Sequence, residues 1–189
     1  MTKIRTFVAV EFSEDVKEEI SDIQARLKRE LGNLKWVPKR NLHLTLKFLG
    51  DVEPERIPEI AQGLSAAVQR FKPFSLGLGG LGAFPGMNKP KVIWMGLTIG
   101  RRELIQLQKA VESELVSQGF SKERRSYHPH LTLARSRRNT NLLTVGQILD
   151  KIEVQPTDTE LIQAVKIMKS DLRPNGPVYT CLEKISLSG

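Results

Sequence analysis

Two identical four-residue motifs contain side chains that could act together on one substrate. The first is His43-Leu44-Thr45-Leu46 and the second is His130-Leu131-Thr132-Leu133. The chain has three histidines, so two of the three belong to this repeat. Because residues two apart in a strand point to the same face, each motif is expected to present one imidazole and one hydroxyl on one side of a sheet. The leucines then point into a core on the other side.

Two imidazoles with neighbouring hydroxyls are suited to cleaving a phosphodiester. A neutral imidazole can take a proton from an attacking water while an imidazolium protonates the departing oxygen, and the ordinary histidine pKa of about 6.5 lets both forms coexist near neutral pH. The hydroxyls of Thr45 and Thr132 can donate to the non-bridging phosphate oxygens, which must be stabilised in the transition state. This chemistry needs no metal and no cofactor, and we predict none.

Two basic residues beside the motifs are further candidates for binding the phosphate. Lys47 follows Thr45 by two positions, so strict alternation places it on the face of His43, with Phe48 on the core side. Arg135 falls on the face opposite Thr132, and it reaches the phosphate only if the strand ends or twists there. The alternative for each is a solvated charge at the surface of a strand.

The positive charge predicts a polyanionic partner. The chain has 29 Lys and Arg against 21 Asp and Glu, a net charge of +8. Six basic residues and a single acid lie between Lys122 and Arg138. Such a local excess indicates RNA or DNA as the partner, although basic residues that merely keep a surface soluble would give the same count. Trp36, Phe84 and Trp94 could stack on a base, but each could equally belong to the core.

The composition favours an ordinary folded protein and excludes several classes. Hydrophobic residues make up 40% and charged residues 26%, both typical of globular domains. A single cysteine, Cys181, excludes a disulfide framework, and its mid-strand position predicts burial. No apolar run approaches the roughly 18 residues of a membrane span, and residues 1–12 do not resemble a signal peptide. We expect a cytoplasmic protein without membrane contact, and nothing in the sequence requires more than a monomer.

The order of predicted elements indicates how the motifs are positioned. After an opening strand at Thr6–Phe12, each half of the chain contains a helix, a motif-bearing strand, a second helix and two further strands, the last two joined by a turn at 174–177. The repeat predicts an α+β fold with two pseudo-symmetric lobes, each an antiparallel sheet with helices on the outside, and a groove between them. We expect one bilobal domain over residues 1–189, with halves 1–99 and 100–189 that can exchange strands.

A glycine-rich segment, Gly77 to Gly82, contains the spacing of a dinucleotide-binding loop. That loop must open a helix directly afterwards, whereas the residues that follow here, Ala83-Phe84-Pro85-Gly86, indicate a turn. The segment is therefore predicted to be a strand with a bulge or a close backbone approach.

Several segments together resemble the 2H phosphoesterase superfamily, and within it the bacterial and archaeal RNA 2′,3′-cyclic phosphodiesterases, also called 2′-5′ RNA ligases. The resemblance rests on both motifs with their flanks and runs nearly from end to end. Its segments are Arg5–Val10, Asn41–Gly50, Phe84–Trp94, Tyr127–Arg135, Ser170–Leu172, Gly176 and Tyr179.

This resemblance implies hydrolysis of a terminal 2′,3′-cyclic phosphate on RNA to a 2′-phosphomonoester. It implies that His43 is the proton donor to the departing 3′ oxygen and His130 the proton acceptor, with Thr45 and Thr132 holding the phosphate. Some members of the family also join tRNA halves through a 2′-5′ bond, so a ligase activity on such halves is a further expectation.

Two other functions compete with this interpretation. His128 shares a strand face with His130, and His43 would add a third imidazole, enough for a zinc or iron site in a metalloenzyme. Alternatively, the chain is a basic RNA-binding module in which the histidines only contact phosphate and nothing is turned over.

Overall fold

The computed structural model describes residues 2–174 and 176–189, so Asn175 of the predicted turn at 174–177 lies outside the described residues. In chain order the elements are β1 (Ile4–Glu11), α1 (Glu14–Leu31), β2 (Lys35–Trp36), β3 (His43–Val52), α2 (Ile57–Val68), β4 (Phe74–Phe84), β5 (Val92–Ile99), α3 (Arg101–Ser117), β6 (Leu131–Arg135), α4 (Leu142–Leu149), β7 (Glu160–Ile162), β8 (Ala164–Arg173) and β9 (Gly176–Ser186). Two short 3-10 turns, Lys39–Asn41 and Pro54–Arg56, precede β3 and α2.

The strands form two antiparallel sheets, which confirms the predicted α+β class. The first sheet has the order β3-β1-β8-β9 and the second the order β2-β6-β5-β4-β7. Each motif strand therefore pairs within a sheet that includes the two long strands from the other half of the chain. Each sheet thus combines strands from both halves of the chain.

The helices form because each has one apolar face. In α1, Ser13 caps the first turn by accepting a hydrogen bond from the Val16 amide at 3.4 Å, and Val16, Ile20 and Leu27 are buried. One hydrophobic cluster includes Leu44 and Leu133 together with buried residues of α1, α2 and α3. The leucines of both motif strands thus pack into the same hydrophobic core. None of the helices in the described ranges is long and apolar enough to cross a membrane.

Both motif strands carry a β-bulge at the same place. Between β1 and β3 the pairing passes from Val8–Lys47 to Ala9–Thr45, which leaves Leu46 as an extra residue. Between β5 and β6 it passes from Ile93–Ala134 to Trp94–Thr132, which leaves Leu133 as the extra residue. An extra residue reverses the facing of everything that follows it in the strand.

The bulge in β3 makes the predicted facing of Phe48 wrong. Instead of lying in the core, Phe48 is 68% exposed, whereas Lys47 is buried. The ring of Phe48 lies 6.0 Å from that of Phe7, whose own ring lies 4.9 Å from His43. Phe48 therefore lies on the same face of the sheet as the histidine.

Cys181 is exposed, so its predicted burial is wrong, and a bulge in β9 is the reason. The pairing of β8 with β9 passes from Ile167–Glu183 to Met168–Cys181, so Leu182 is the extra residue. Cys181 therefore does not share the core-facing side of Ile185.

The glycine-rich segment lies within β4, as predicted. Irregular pairing occurs after Gly77 and after Gly79. A Cβ atom on Gly82 would lie 2.2 Å from the ring of Trp94. This close approach, and not a dinucleotide, explains why glycine is needed at that position.

Candidate active site

The two motif histidines are held in the same way. His43 is the first residue of β3 and His130 directly precedes β6. In each, Nδ1 is 2.7 Å from the backbone carbonyl oxygen two residues earlier, that of Asn41 for His43 and that of His128 for His130. Because a carbonyl oxygen can only accept a hydrogen bond, Nδ1 carries the proton in both rings. The Nε2 atom of each ring is therefore the one left to give or take a proton.

The threonine of the first motif directly contacts its histidine. The hydroxyl oxygen of Thr45 lies 3.0 Å from Nε2 of His43. Thr132 occupies the matching position in β6 and is likewise partly buried. The first predicted pair of imidazole and hydroxyl thus lies on one strand face.

The two motifs are close enough to influence each other. The charge of His130 helps to lower the pKa of His43, although burial is the largest cause of that lowering. The backbone also joins the motifs, because the Val37 amide, six residues before His43, donates to the carbonyl of Leu133 at 2.9 Å. The structure therefore brings β3 and β6, the strands of the two motifs, into contact.

The two imidazoles differ in that His43 has a carboxylate nearby. Burial lowers the pKa of both. The carboxylate of Glu11, which is paired with His43 across the sheet, partly opposes that lowering. At His130, the charges of His128 and Arg135 lower the pKa further. At His43 the charges of His130 and Lys17 also lower the pKa, so Glu11 is the neighbour that favours its imidazolium form.

Arg135 reaches the site through the bulge in β6. The extra residue Leu133 turns Ala134 into the core, where it is fully buried, and leaves Arg135 exposed. Its charge acts on His130 and also on Tyr179, whose ring is 5.2 Å from that of His43. Arg135 therefore lies on the same face of the sheet as Thr132, where strict alternation did not place it.

The side chain of Lys47 is buried and forms its polar contacts inside the protein. Its ammonium donates to the carboxylate of Glu112 and to the backbone carbonyl of Ser121, each at 2.8 Å. The side chain is only 4% exposed. The bulge at Leu46 is the reason, because it turns Lys47 away from Thr45 toward α3. These contacts argue against the predicted phosphate contact and indicate a structural role.

Aromatic rings surround both histidines. Phe7 and Tyr179 lie beside His43, with ring centroids 4.9 and 5.2 Å away. Phe84 lies 4.9 Å from His130, and Trp94 lies 6.2 Å from it. Two of the three rings suggested as base platforms thus line the site. The third, Trp36, packs against the core and lies under Lys28.

Two buried glutamines support the bulges, and no sequence pattern pointed to them. The amide nitrogen of Gln24, in α1, donates to the carbonyl of Leu133 at 2.9 Å and to that of Val37 at 3.0 Å. The amide of Gln108, in α3, donates to the carbonyl of Leu46 at 3.4 Å. The backbone carbonyl of each extra leucine therefore accepts a hydrogen bond from a glutamine of a helix. The sequence does not show this, because it depends on how the helices pack on the strands.

The metal site suggested by His43, His128 and His130 finds no support among the described side chains. The rings of His128 and His130 lie 6.5 Å apart. Among residues 2–174 and 176–189, no group of three or more His, Cys, Asp or Glu side chains is arranged to hold a metal ion.

Comparison with known proteins shows the family of this chain. The family model of the 2′-5′ RNA ligase superfamily matches residues 7–171. The RNA 2′,3′-cyclic phosphodiesterase of Methanothermobacter thermautotrophicus is 31% identical over 185 residues, covering 98% of this chain and 100% of that protein. The protein of the same name from Methanocaldococcus jannaschii is 34% identical over 181 residues, covering 96% of this chain and 99% of its own length.

Solved structures show the same fold. A crystal structure of a protein from Thermus thermophilus has a TM-score of 0.80 at 27% identity, and the match covers 98% of both chains. Escherichia coli LigT complexed with 3′-AMP has a TM-score of 0.74 at 25% identity, with 99% of both chains covered. The resemblance drawn from the motifs is confirmed, and the chain belongs to the 2′-5′ RNA ligase superfamily.

Proposed function

We propose that this protein is a metal-independent RNA 2′,3′-cyclic phosphodiesterase that opens a terminal cyclic phosphate to a 2′-phosphomonoester. The observation that carries the proposal is the matched anchoring of His43 and His130 through Nδ1, which leaves one Nε2 atom on each motif for proton transfer. The names of the relatives, which cover nearly the whole chain, support the same activity.

In this reaction His130 is the general base and His43 the general acid. Nε2 of neutral His130 takes a proton from water as the water oxygen bonds to phosphorus. The bond from phosphorus to the 3′ oxygen breaks, and that oxygen receives the proton from Nε2 of His43. The product is a 2′-phosphate beside a free 3′-hydroxyl, and solvent restores both histidines to their starting states.

The charges around the histidines support this assignment of roles. The Glu11 carboxylate favours a proton on His43, whereas His128 and Arg135 disfavour one on His130. Thr45, Thr132 and Arg135 would hold the phosphate oxygens, whose negative charge grows in the transition state.

RNA is the proposed partner. The relatives are named for RNA, the net charge is +8, and Arg124, Arg125, Arg137 and Arg138 lie in the basic segment that follows α3 and flanks β6. We expect them to act as a diffuse positive field, so that binding weakens steeply with salt. If the 5′-hydroxyl of a second RNA, such as the other half of a tRNA, replaces water as the nucleophile, the same two proton transfers would form a 2′-5′ bond.

The experiment that tests the proposal uses a 2′,3′-cyclic mononucleotide and a short RNA with a cyclic end. We expect turnover to a 2′-phosphate, and His43→Ala or His130→Ala should each lower kcat by roughly 10²- to 10⁴-fold. A chelator should leave the rate unchanged, whereas a metalloenzyme would lose activity. A 3′-phosphate product, or a His43→Ala variant with nearly full turnover, would contradict the mechanism. Absence of any turnover would favour the RNA-binding module.

A further inference from the structure

Phe48 is an exposed aromatic side chain on the functional face of the first sheet. It is 68% exposed, and its ring contacts Phe7 with centroids 6.0 Å apart. The bulge at Leu46 is what brings it there. Most of this ring is free to contact another molecule, and its removal would cost the core little.

The position of Phe48 matches that of Arg135 in the other motif. Each is the second residue after the extra leucine of its bulge, and each follows its histidine by five positions. The second motif thus places the cation Arg135 near its histidine, and the first places the ring of Phe48 at the matching position. This matched placement indicates that both residues serve the substrate rather than the fold.

A positive charge lies near this ring. Arg5 is two residues before Phe7 in β1, so period-two alternation places it on the same face, and it is exposed. Its charge also acts on Tyr179, which contacts the ring of Phe7 at 5.0 Å. A ring and a cation on one face provide what a nucleotide needs, a surface for its base and a charge for its phosphate.

We propose that Phe48 stacks on the base of the penultimate nucleotide of the RNA, with Arg5 facing the phosphate of that nucleotide. This inference rests on the proposed function, in which the terminal cyclic phosphate lies between His43 and His130. Phe48 and His43 each lie against the ring of Phe7, and we place the terminal nucleotide at His43 and the next one at Phe48. Because every base has a π face, the contact should tolerate any base at this position.

The test compares a 2′,3′-cyclic mononucleotide with a dinucleotide that carries the same cyclic end. For Phe48→Ala we expect KM for the dinucleotide to rise roughly five-fold or more, since base stacking on an aromatic ring contributes that much to binding. KM for the mononucleotide and both kcat values should stay unchanged. Phe48→Tyr should behave as the wild type, whereas Phe48→Leu, which keeps an apolar side chain but loses the ring, should behave as Phe48→Ala.

The matched control is Leu143→Ala, which truncates a side chain that is 59% exposed on α4 and should change neither KM. An unchanged dinucleotide KM in Phe48→Ala would overturn the inference. An equal rise of KM for both compounds would also overturn it, because the ring would then act on the terminal nucleotide. In both cases wild-type turnover keeps the proposed function intact, whereas a wild-type protein that turns over neither compound contradicts the function and this inference together.

Discussion

The hydroxyl of Tyr127 donates a hydrogen bond to the backbone carbonyl of Thr45 over 3.1 Å, which joins the two motifs. Tyr127 lies three residues before His130, and Thr45 lies two residues after His43. Burial raises the pKa of the Tyr127 hydroxyl far above its ordinary value, so the group keeps its proton and remains a donor. The bond therefore fixes the segment before His130 against the strand that carries His43.

Replacing Tyr127 by phenylalanine should remove this hydrogen bond while the buried ring keeps its packing. We expect the free energy of unfolding to fall by about 1 kcal/mol, the usual net contribution of a hydrogen bond. We also expect kcat for a cyclic mononucleotide to fall several-fold with little change in KM, because proton transfer depends on the relative position of the two rings. Urea unfolding and steady-state kinetics measure the two effects. An unchanged kcat alongside lowered stability would assign Tyr127 to the fold alone.

Alternation of residue types predicted the facing of the strand residues as far as Thr45 and Thr132, and it failed after the leucine that follows each. The residues that follow are leucine in both motifs, and leucine suits either the regular register or the extra position of a bulge. Nothing in the residue types shows that Leu46 and Leu133 are extra, because a bulge depends on the pairing with β1 and β5. The shift exchanged the expected environments of Lys47 and Phe48.

Lys47 should contribute to stability and not to phosphate binding. Lys47→Met leaves Glu112 without its buried partner, and breaking such a pair costs about 3–5 kcal/mol. The double variant Lys47→Met with Glu112→Leu should recover part of this loss. Unfolding by urea measures both, and kcat/KM at a temperature where the variants are folded should stay within a few-fold of the wild type.

Arg135→Gln is the matched comparison for Lys47. Since Arg135 is exposed, its loss should leave the unfolding free energy nearly unchanged, while kcat/KM falls through the lost charge at the phosphate. A large loss of kcat/KM in folded Lys47→Met, with little loss in Arg135→Gln, would reverse the roles assigned to the two residues.

Gln24 and Gln108 should differ in importance although they occupy matching positions. Gln24→Leu removes two short hydrogen bonds, to the carbonyls of Val37 and Leu133, and should lower stability by roughly 1–3 kcal/mol. Gln108→Leu removes one longer bond of 3.4 Å, so its effect should be smaller. Because the bulge at Leu133 directs Arg135 to the site, Gln24→Leu should also raise KM for a cyclic mononucleotide. Equal stability losses, or an unchanged KM in Gln24→Leu, would contradict this account.

Glu11 offers a test of which histidine is the acid. Its carboxylate raises the pKa of His43 against the effect of burial, so Glu11→Gln should lower that pKa further. If His43 must be protonated in the free enzyme, kcat/KM on the alkaline side should fall, because less imidazolium remains there, while the acid side stays unchanged. If His43 were the base, kcat/KM would instead rise on the acid side. Glu53→Gln, which alters a surface pair with Lys3, serves as the control.

The histidines should also make stability depend on pH. Burial lowers the folded pKa of His43 and His130 below the ordinary value of about 6.5. As pH falls through about 6.5 the unfolded chain takes up protons before the folded protein does, so stability is lost from that point down to the lowered folded values. The urea midpoint should therefore be lower at about pH 5.5 than at about pH 7.5, a range that lies above the titration of ordinary carboxylates. His43→Asn should reduce this difference, and a variant that kept the full wild-type difference would show that the loss arises elsewhere in the protein.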